Sequence, residues 1–148
     1  MIRTILVATD GSDHAKKALT LASDLGAKYG AKLILLHVPL FNVGSETLHA
    51  VATRSGLPKK LRDLLDNYEI DFQLGVATAG MGTAGGAGFA PPPRELVAAI
   101  GQQIIARAEK ITSKAGVKKV TSMITEGDPA DVILNTAAKC KADMIILG

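Results

Sequence analysis

At 148 residues with 47% apolar and 21% charged side chains, the chain is long enough to bury the core of one domain. No apolar run approaches the roughly 20 residues of a membrane span, so no membrane partner is expected. A single cysteine, Cys140, excludes an internal disulfide framework and suits a reducing, cytoplasmic setting. The net charge of +3 comes from basic residues scattered along the chain, such as Lys16–Lys17, Lys59–Lys60 and Lys118–Lys119. With three Phe, two Tyr and no Trp, base-stacking platforms are scarce and no nucleic-acid partner is expected.

Residues 2–8, "IRTILVA", are apolar and β-branched and read as a buried strand, not as a signal peptide, since neither a basic leader nor a cleavage-like site is present. "TDGSD" interrupts it, with Ser12 placed to cap a helix and Asp13 facing the positive end of its dipole. Ala15, Ala18, Leu19, Ala22, Leu25 and Tyr29 then recur at helical spacing, and Gly30 stands where a C-terminal glycine cap belongs. "KLILLHV", residues 32–38, is a second buried strand closed by Pro39. The unit is strand–helix–strand, which requires parallel strands and a right-handed crossover.

The middle of the chain is less regular. Leu57, Leu61, Leu64, Leu65 and Tyr68 indicate a short helix started by Pro58. Residues 75–93 hold six glycines and three consecutive prolines, too few packing side chains to offset ordering entropy, and are expected to form a mobile loop. From Arg94 a long amphipathic helix is expected through Leu96, Val97, Ile100, Ile104, Ala108 and Ile111, with Gly116 as its stop. A third strand at 117–125, a helix capped by Asp128 with Pro129 in its first turn, and a fourth strand, "DMIILG" (143–148), complete the pattern. Alternation of near-continuous apolar strands with helices predicts an α/β fold, an open parallel sheet with helices on both faces.

Two glycine patterns compete for a ligand. Gly80, Gly82 and Gly85 spell G-x-G-x-x-G, but no strand leads directly into it and no helix opens after it, as a dinucleotide site requires. The alternative is the crevice at the carboxyl ends of the strands, where open α/β sheets bind ligands. There the first strand delivers "ATDGS", the second "HV", and the fourth Gly148.

"ILVATDGS", "AKLILLHV" and "EGDPADVILNTAAKCKADMIILG", in this order, resemble the universal stress proteins, cytoplasmic α/β domains many of which bind ATP or AMP. The resemblance covers the chain outside residues 41–93. It implies a stress-response regulatory protein with strand order 3-2-1-4, binding ATP or AMP, with or without Mg2+. Ala8, Thr9 and Asp10 would line adenine and ribose, and Val38 would offer its backbone to adenine. Gly127 would sit at the tip of the loop after the third strand. Gly148 would open the phosphate loop, G-x2-G-x9-G-[S/T]. On this reading the single domain, residues 1–148, is truncated at the start of that motif, without the family's fifth strand and its homodimer contact. The alternative is a nucleotide-free dimerisation module of the same fold.

Plainer roles exist for several of these residues. Asp10 can simply cap the turn before Gly11, and Asp128 is first of all a helix cap. His37, in an apolar strand, is expected to be a core histidine satisfied by a neighbour, while His14 and His49 read as surface residues. No cluster has metal-ligand spacing. "ATDGSD" lacks the first glycine of a nucleophile elbow, and its one glycine and one serine fall short of a pyrophosphatase-type phosphate loop. No nucleophile lies beside a base, so no enzymatic activity is expected.

Overall fold

The computed structural model of the chain describes residues 1–39, 41, 48–50, 52–53, 58–79 and 91–148, with the backbone alone at residues 72 and 75–79. In chain order the elements are β1 (Thr4–Ala8), α1 (Asp13–Tyr29), β2 (Lys32–His37), α2 (Lys59–Ala79), α3 (Arg94–Lys114), β3 (Val120–Ile124), α4 (Pro129–Lys139) and β4 (Met144–Ile146). They fall into two compact units, one of residues 1–39 and 101–148 and the other of residues 40–100.

The first unit holds a four-stranded sheet in the order β3-β2-β1-β4. All pairings are parallel, with Ile5 opposite both Leu33 and Met144, and Leu33 opposite Val120. This is the α/β fold and the 3-2-1-4 order expected from the sequence. The central strands β1 and β2 are buried on both faces, which explains their unbroken apolar runs, while β3 and β4 at the borders are partly exposed. Ile5, Val7, Leu33 and Leu35 pack against Ala18, Leu19 and Ala22 of α1 and Ile105 and Ala108 of α3. On the other face Leu6, Ile34 and Leu36 meet Ala137, Val132 and Ile133 of α4.

The expected caps are present. Ser12 Oγ accepts from Ala15 N at 3.1 Å, Gly30 closes α1 in the left-handed conformation, and Asp128 Oδ1 accepts from Ala130 N and Asp131 N at 3.0 and 3.1 Å. β3 and β4 are shorter than expected, because only 120–124 and 144–146 find partners on β2 and β1.

The second unit contains α2, which runs to Ala79 and so corrects the short helix and the loop boundary at residue 75. One glycine, Gly75, costs a helix about 1 kcal/mol, less than the flanking Glu, Gln, Leu and Ala residues sustain. Residues 80–90, including the G-x-G-x-x-G pattern, lie outside the described residues. Leu65 and Tyr68 of α2 and Leu96, Val97 and Ile100 of α3 are buried.

Two side chains pin the ends of the sheet. At the amino edge Asp143 Oδ2 accepts from Arg3 N at 2.8 Å and Thr4 N at 2.9 Å, while Asp143 N donates to Thr4 O. These bonds hold its carboxyl below the ordinary range. At the carboxyl edge His37, 7% exposed, has Nδ1 2.8 Å from Thr9 O. A carbonyl only accepts, so Nδ1 carries the proton and Nε2 the lone pair. On the ring's far side stands Gly101, where a Cβ would come within 3.0 Å of His37 Cδ2. Burial pushes the His37 pKa down, against the opposing effects of the Thr9 carbonyl and the Asp10 charge.

Two outcomes are expected in chemical denaturation. Leu35→Ala, at a fully buried site, should cost about 2–5 kcal/mol, whereas Leu134→Ala, 62% exposed on α4, should stay within about 0.5 kcal/mol. For His37 the folded pKa lies below the unfolded value of 6.5, so below that pH the unfolded chain takes up a proton that the folded one resists. Stability should therefore fall as pH drops below 6.5 and be flat above it as far as this group is concerned. A His37→Gln variant that retains the same slope would assign it to other groups.

Candidate functional site

The carboxyl edge of the sheet is built from four strand ends. β1 leads into Thr9, whose N–H donates to Leu36 O at 2.9 Å and thereby carries the β1–β2 ladder one residue further. Thr9 is buried, and its Oγ1 accepts from Gly11 N at 3.2 Å. Its hydroxyl oxygen is thus committed to the turn. Asp10 is exposed, and its Oδ1 accepts from Ser12 N at 2.8 Å. This is an Asx turn, the plain role the sequence allows. It uses one carboxylate oxygen and fixes the group, leaving Oδ2 without a hydrogen bond among the described residues. Ala8, half-buried, ends the strand behind them.

β2 contributes His37 and Val38. The His37 ring ties the β1 end to the β2 end, and Thr125 N donates to His37 O at 3.1 Å, adding the β3 end. Val38 is half-buried and packs on the cluster of Leu6, Ile34, Leu36 and Ala137. This fixes the backbone that precedes Pro39. The expectation that His37 is satisfied by a neighbour is met by a backbone carbonyl 28 residues away in sequence.

The two glycines flank the crevice. Gly127, in the loop between β3 and α4, has φ +142°, a conformation that disfavours side chains, and a Cβ there would lie 2.8 Å from Val132 Cγ2. It sets up Asp128 for the α4 cap. Gly148 runs against the first turns of α1: a Cβ would overlap the His14 carbonyl and lie 2.9 Å from Ala18 Cβ. Only glycine lets the chain pass there.

From one sheet edge to the other the order is therefore Gly127, Val38, Ala8–Asp10 and Gly148. Neighbouring strands are about 4.8 Å apart, so Asp10 has Val38 on one side and Gly148 on the other. Gly127 and Gly148 stand on opposite flanks, one against α4 and the other against α1. The chain leaves β1 toward β2 but reaches β4 on the opposite side of β1, and this reversal is the topological switch point of the sheet. The rim carries Asp10, Asp13, Asp128 and Asp131 beside the N-termini of α1 and α4. Among the described residues no group of three or more His, Cys, Asp or Glu side chains is placed to hold a metal.

One arrangement was missed by the sequence reading. His49 is half-buried, with Nδ1 3.4 Å from Thr53 Oγ1 and Nε2 3.8 Å from Glu69 Oε2. The i, i+4 spacing of His49 and Thr53 was the available signal. At 3.8 Å the Glu69 carboxylate is beyond hydrogen-bond reach of the ring, so the trio is a surface contact and not a proton relay.

The sequence matches the universal stress protein family over residues 1–69 and 74–148. It is 26% identical over 152 residues to the universal stress protein in the QAH/OAS sulfhydrylase 3′ region of Thermus aquaticus, a likeness covering 100% of this chain and 77% of that protein. Among solved structures, a universal stress protein family protein from Arabidopsis thaliana with AMP bound superposes with a TM-score of 0.57 at 18% identity, over 99% of this chain and 76% of that one. A universal stress protein in complex with cAMP gives 0.53 at 19% identity, over 97% and 70%. At such identities the structural likeness speaks for the fold, while the family match spans nearly every residue. The chain belongs to the universal stress protein family.

Proposed function

We propose that this chain is a cytoplasmic stress-response regulator that binds an adenine nucleotide, ATP or AMP, at the carboxyl edge of its sheet. The observation that carries this reading is Asp10. Its carboxylate is oriented by Ser12 N–H at the switch point, with one oxygen free of hydrogen bonds among the described residues. That oxygen is an acceptor for ribose hydroxyls. Ala8 and Thr9 line the sugar and base through backbone, Val38 offers backbone to adenine, and Gly127 and Gly148 flank the ligand. The AMP and cAMP held by two solved relatives support the choice of an adenine nucleotide. An accompanying Mg2+ would be held mainly by the nucleotide's own phosphates. The role is binding, not turnover: occupancy alters what the protein associates with.

A second property fits the edge strand. Ile145 and Leu147, 38% and 59% exposed at β4, favour self-association, and the protein is proposed to act as a homo-oligomer. As a nucleotide-free module it would retain this association alone.

In isothermal titration with AMP or ATP, Asp10→Ala should weaken binding by about 1–3 kcal/mol, the contribution of a hydrogen bond to a charged group. An unchanged affinity in a folded variant would leave Asp10 its turn-forming role only. Sedimentation velocity tests the second property: Leu147→Lys should lower the association seen in the parent chain at equal concentration. Association untouched by this change places the interface elsewhere.

A further inference from the structure

The lysines that lie scattered along the sequence are gathered by the fold. At the amino edge of the sheet Lys32 N donates to Arg3 O and Leu33 N to Lys119 O, each at 2.8 Å. Arg3, Lys32 and Lys119 therefore stand in a row of three neighbouring strand starts, about 4.8 Å from strand to strand, with Lys119 level with Lys32 and Arg3 one residue out of step. The helices end beside this row, α1 with Lys28 and α3 with Lys114 in their last turns on one face, α4 with Lys139 on the other. Lys118 and Lys141 occupy the short links that follow. All of these side chains are exposed. None has a carboxylate within ion-pair distance among the described residues. Asp143, the carboxylate at this edge, is engaged with the backbone N–H groups of Arg3 and Thr4.

Lysine in the last turn of a helix complements the helix dipole, which accounts for Lys28, Lys114 and Lys139. It does not account for Arg3, Lys32, Lys118 and Lys119, which begin or precede strands. The opposite edge carries Asp10, Asp13, Asp128 and Asp131 alongside Lys16 and Lys17 in the first turns of α1, a mixed rim unlike the lysine-rich amino edge.

We propose that the amino edge of the sheet is a docking face for an anionic lipid surface. The cations form three rows, one from each layer of the fold. A helix is about 10 Å across, so the rows spread over a broad end that a planar leaflet meets at once. A nucleic-acid duplex, being a cylinder, would engage one row. Apart from Arg3 the cations are lysines, point charges suited to a diffuse phosphate surface and not to the bidentate contacts of base readout. Tyr29, 50% exposed with Lys28 Nζ 5.8 Å from its ring centroid, supplies an amphipathic ring at headgroup level. No helix among the described residues is long and apolar enough to cross a membrane, and the association is peripheral. The carboxyl edge then faces away from the lipid and stays open to its ligand.

Vesicle co-sedimentation of the full chain at low salt tests this. Binding is expected to phosphatidylcholine vesicles containing phosphatidylserine, not to phosphatidylcholine alone, and to fall as salt rises. Lys28→Gln, Lys32→Gln, Lys118→Gln and Lys119→Gln combined should weaken partitioning by about two orders of magnitude or more. The pair Lys118→Gln and Lys119→Gln, at two exposed sites, should weaken it about tenfold, with circular dichroism confirming the fold. Lys59→Gln with Lys60→Gln should leave it unchanged. No binding to the anionic vesicles, an equal loss in the Lys59/Lys60 variant, or tighter binding to duplex DNA at the same salt would each overturn the proposal.

Discussion

The pairing of β1 with β2, in register from Thr4 opposite Lys32 to Ala8 opposite Leu36, is the constraint on which the other features rest. It places Leu6 and Ile34 on one face and Ile5, Val7, Leu33 and Leu35 on the other, so that helices must cover both sides. A slip of one residue would turn each of these side chains to the wrong layer. The same register brings Thr9 level with Leu36 and lets the His37 ring reach the Thr9 carbonyl. The turn that aims Asp10 therefore inherits its position from the sheet and not from the loop's own residues. At the other end it sets Arg3 beside Lys32. Ligand crevice and basic edge are two ends of one ladder.

Much of this was legible in the sequence, for identifiable reasons. The central strands β1 and β2 announce themselves because burial on both faces demands unbroken apolar runs. Ser12, Gly30 and Asp128 announce helix ends because few residues satisfy the orphan backbone groups there. The grouping of Asp10, Val38 and Gly148 followed from parallel strands that share one carboxyl edge, while the 3-2-1-4 order and the contacts to a nucleotide came with the resemblance, since spacing alone does not choose among parallel orders. What stayed hidden depends on distance in the chain. The partner of His37 is a main-chain carbonyl, which leaves no trace in residue identity. Gly101 looks like a weak point in a helix until the ring beside it is seen. The lysines looked dispersed because three helix ends and three strand starts meet only in the folded state. The extra turns of α2 beyond Tyr68 were lost to Gly75, whose local preference the helix overrides.

The crevice combines two tendencies that pull apart. Helix N-termini attract anions, yet Asp13 and Asp131 sit in the first turns of α1 and α4, Asp128 accepts from Ala130 N and Asp131 N, and Asp10 accepts from Ser12 N. Such a rim is better suited to the neutral sugar and base of a nucleotide than to its phosphates. Affinity drawn from ribose and adenine would be shared by mono- and triphosphates alike, and discrimination between them has to come from other groups.

The Asp143 clamp gives β4 a release mechanism. This strand pairs over three residues, Met144–Ile146, and with β1 alone, and a single carboxylate supplements that short ladder by accepting two N–H groups of the adjoining chain. Its depressed pKa means that the clamp is complete above the ordinary carboxylate range and is lost as pH falls through the lower, folded value. Acid would thus loosen the β4 border through Asp143, separately from its action on His37 where β1 meets β2. Protons, in effect, address the sheet at two places, one at each end of the β1 strand.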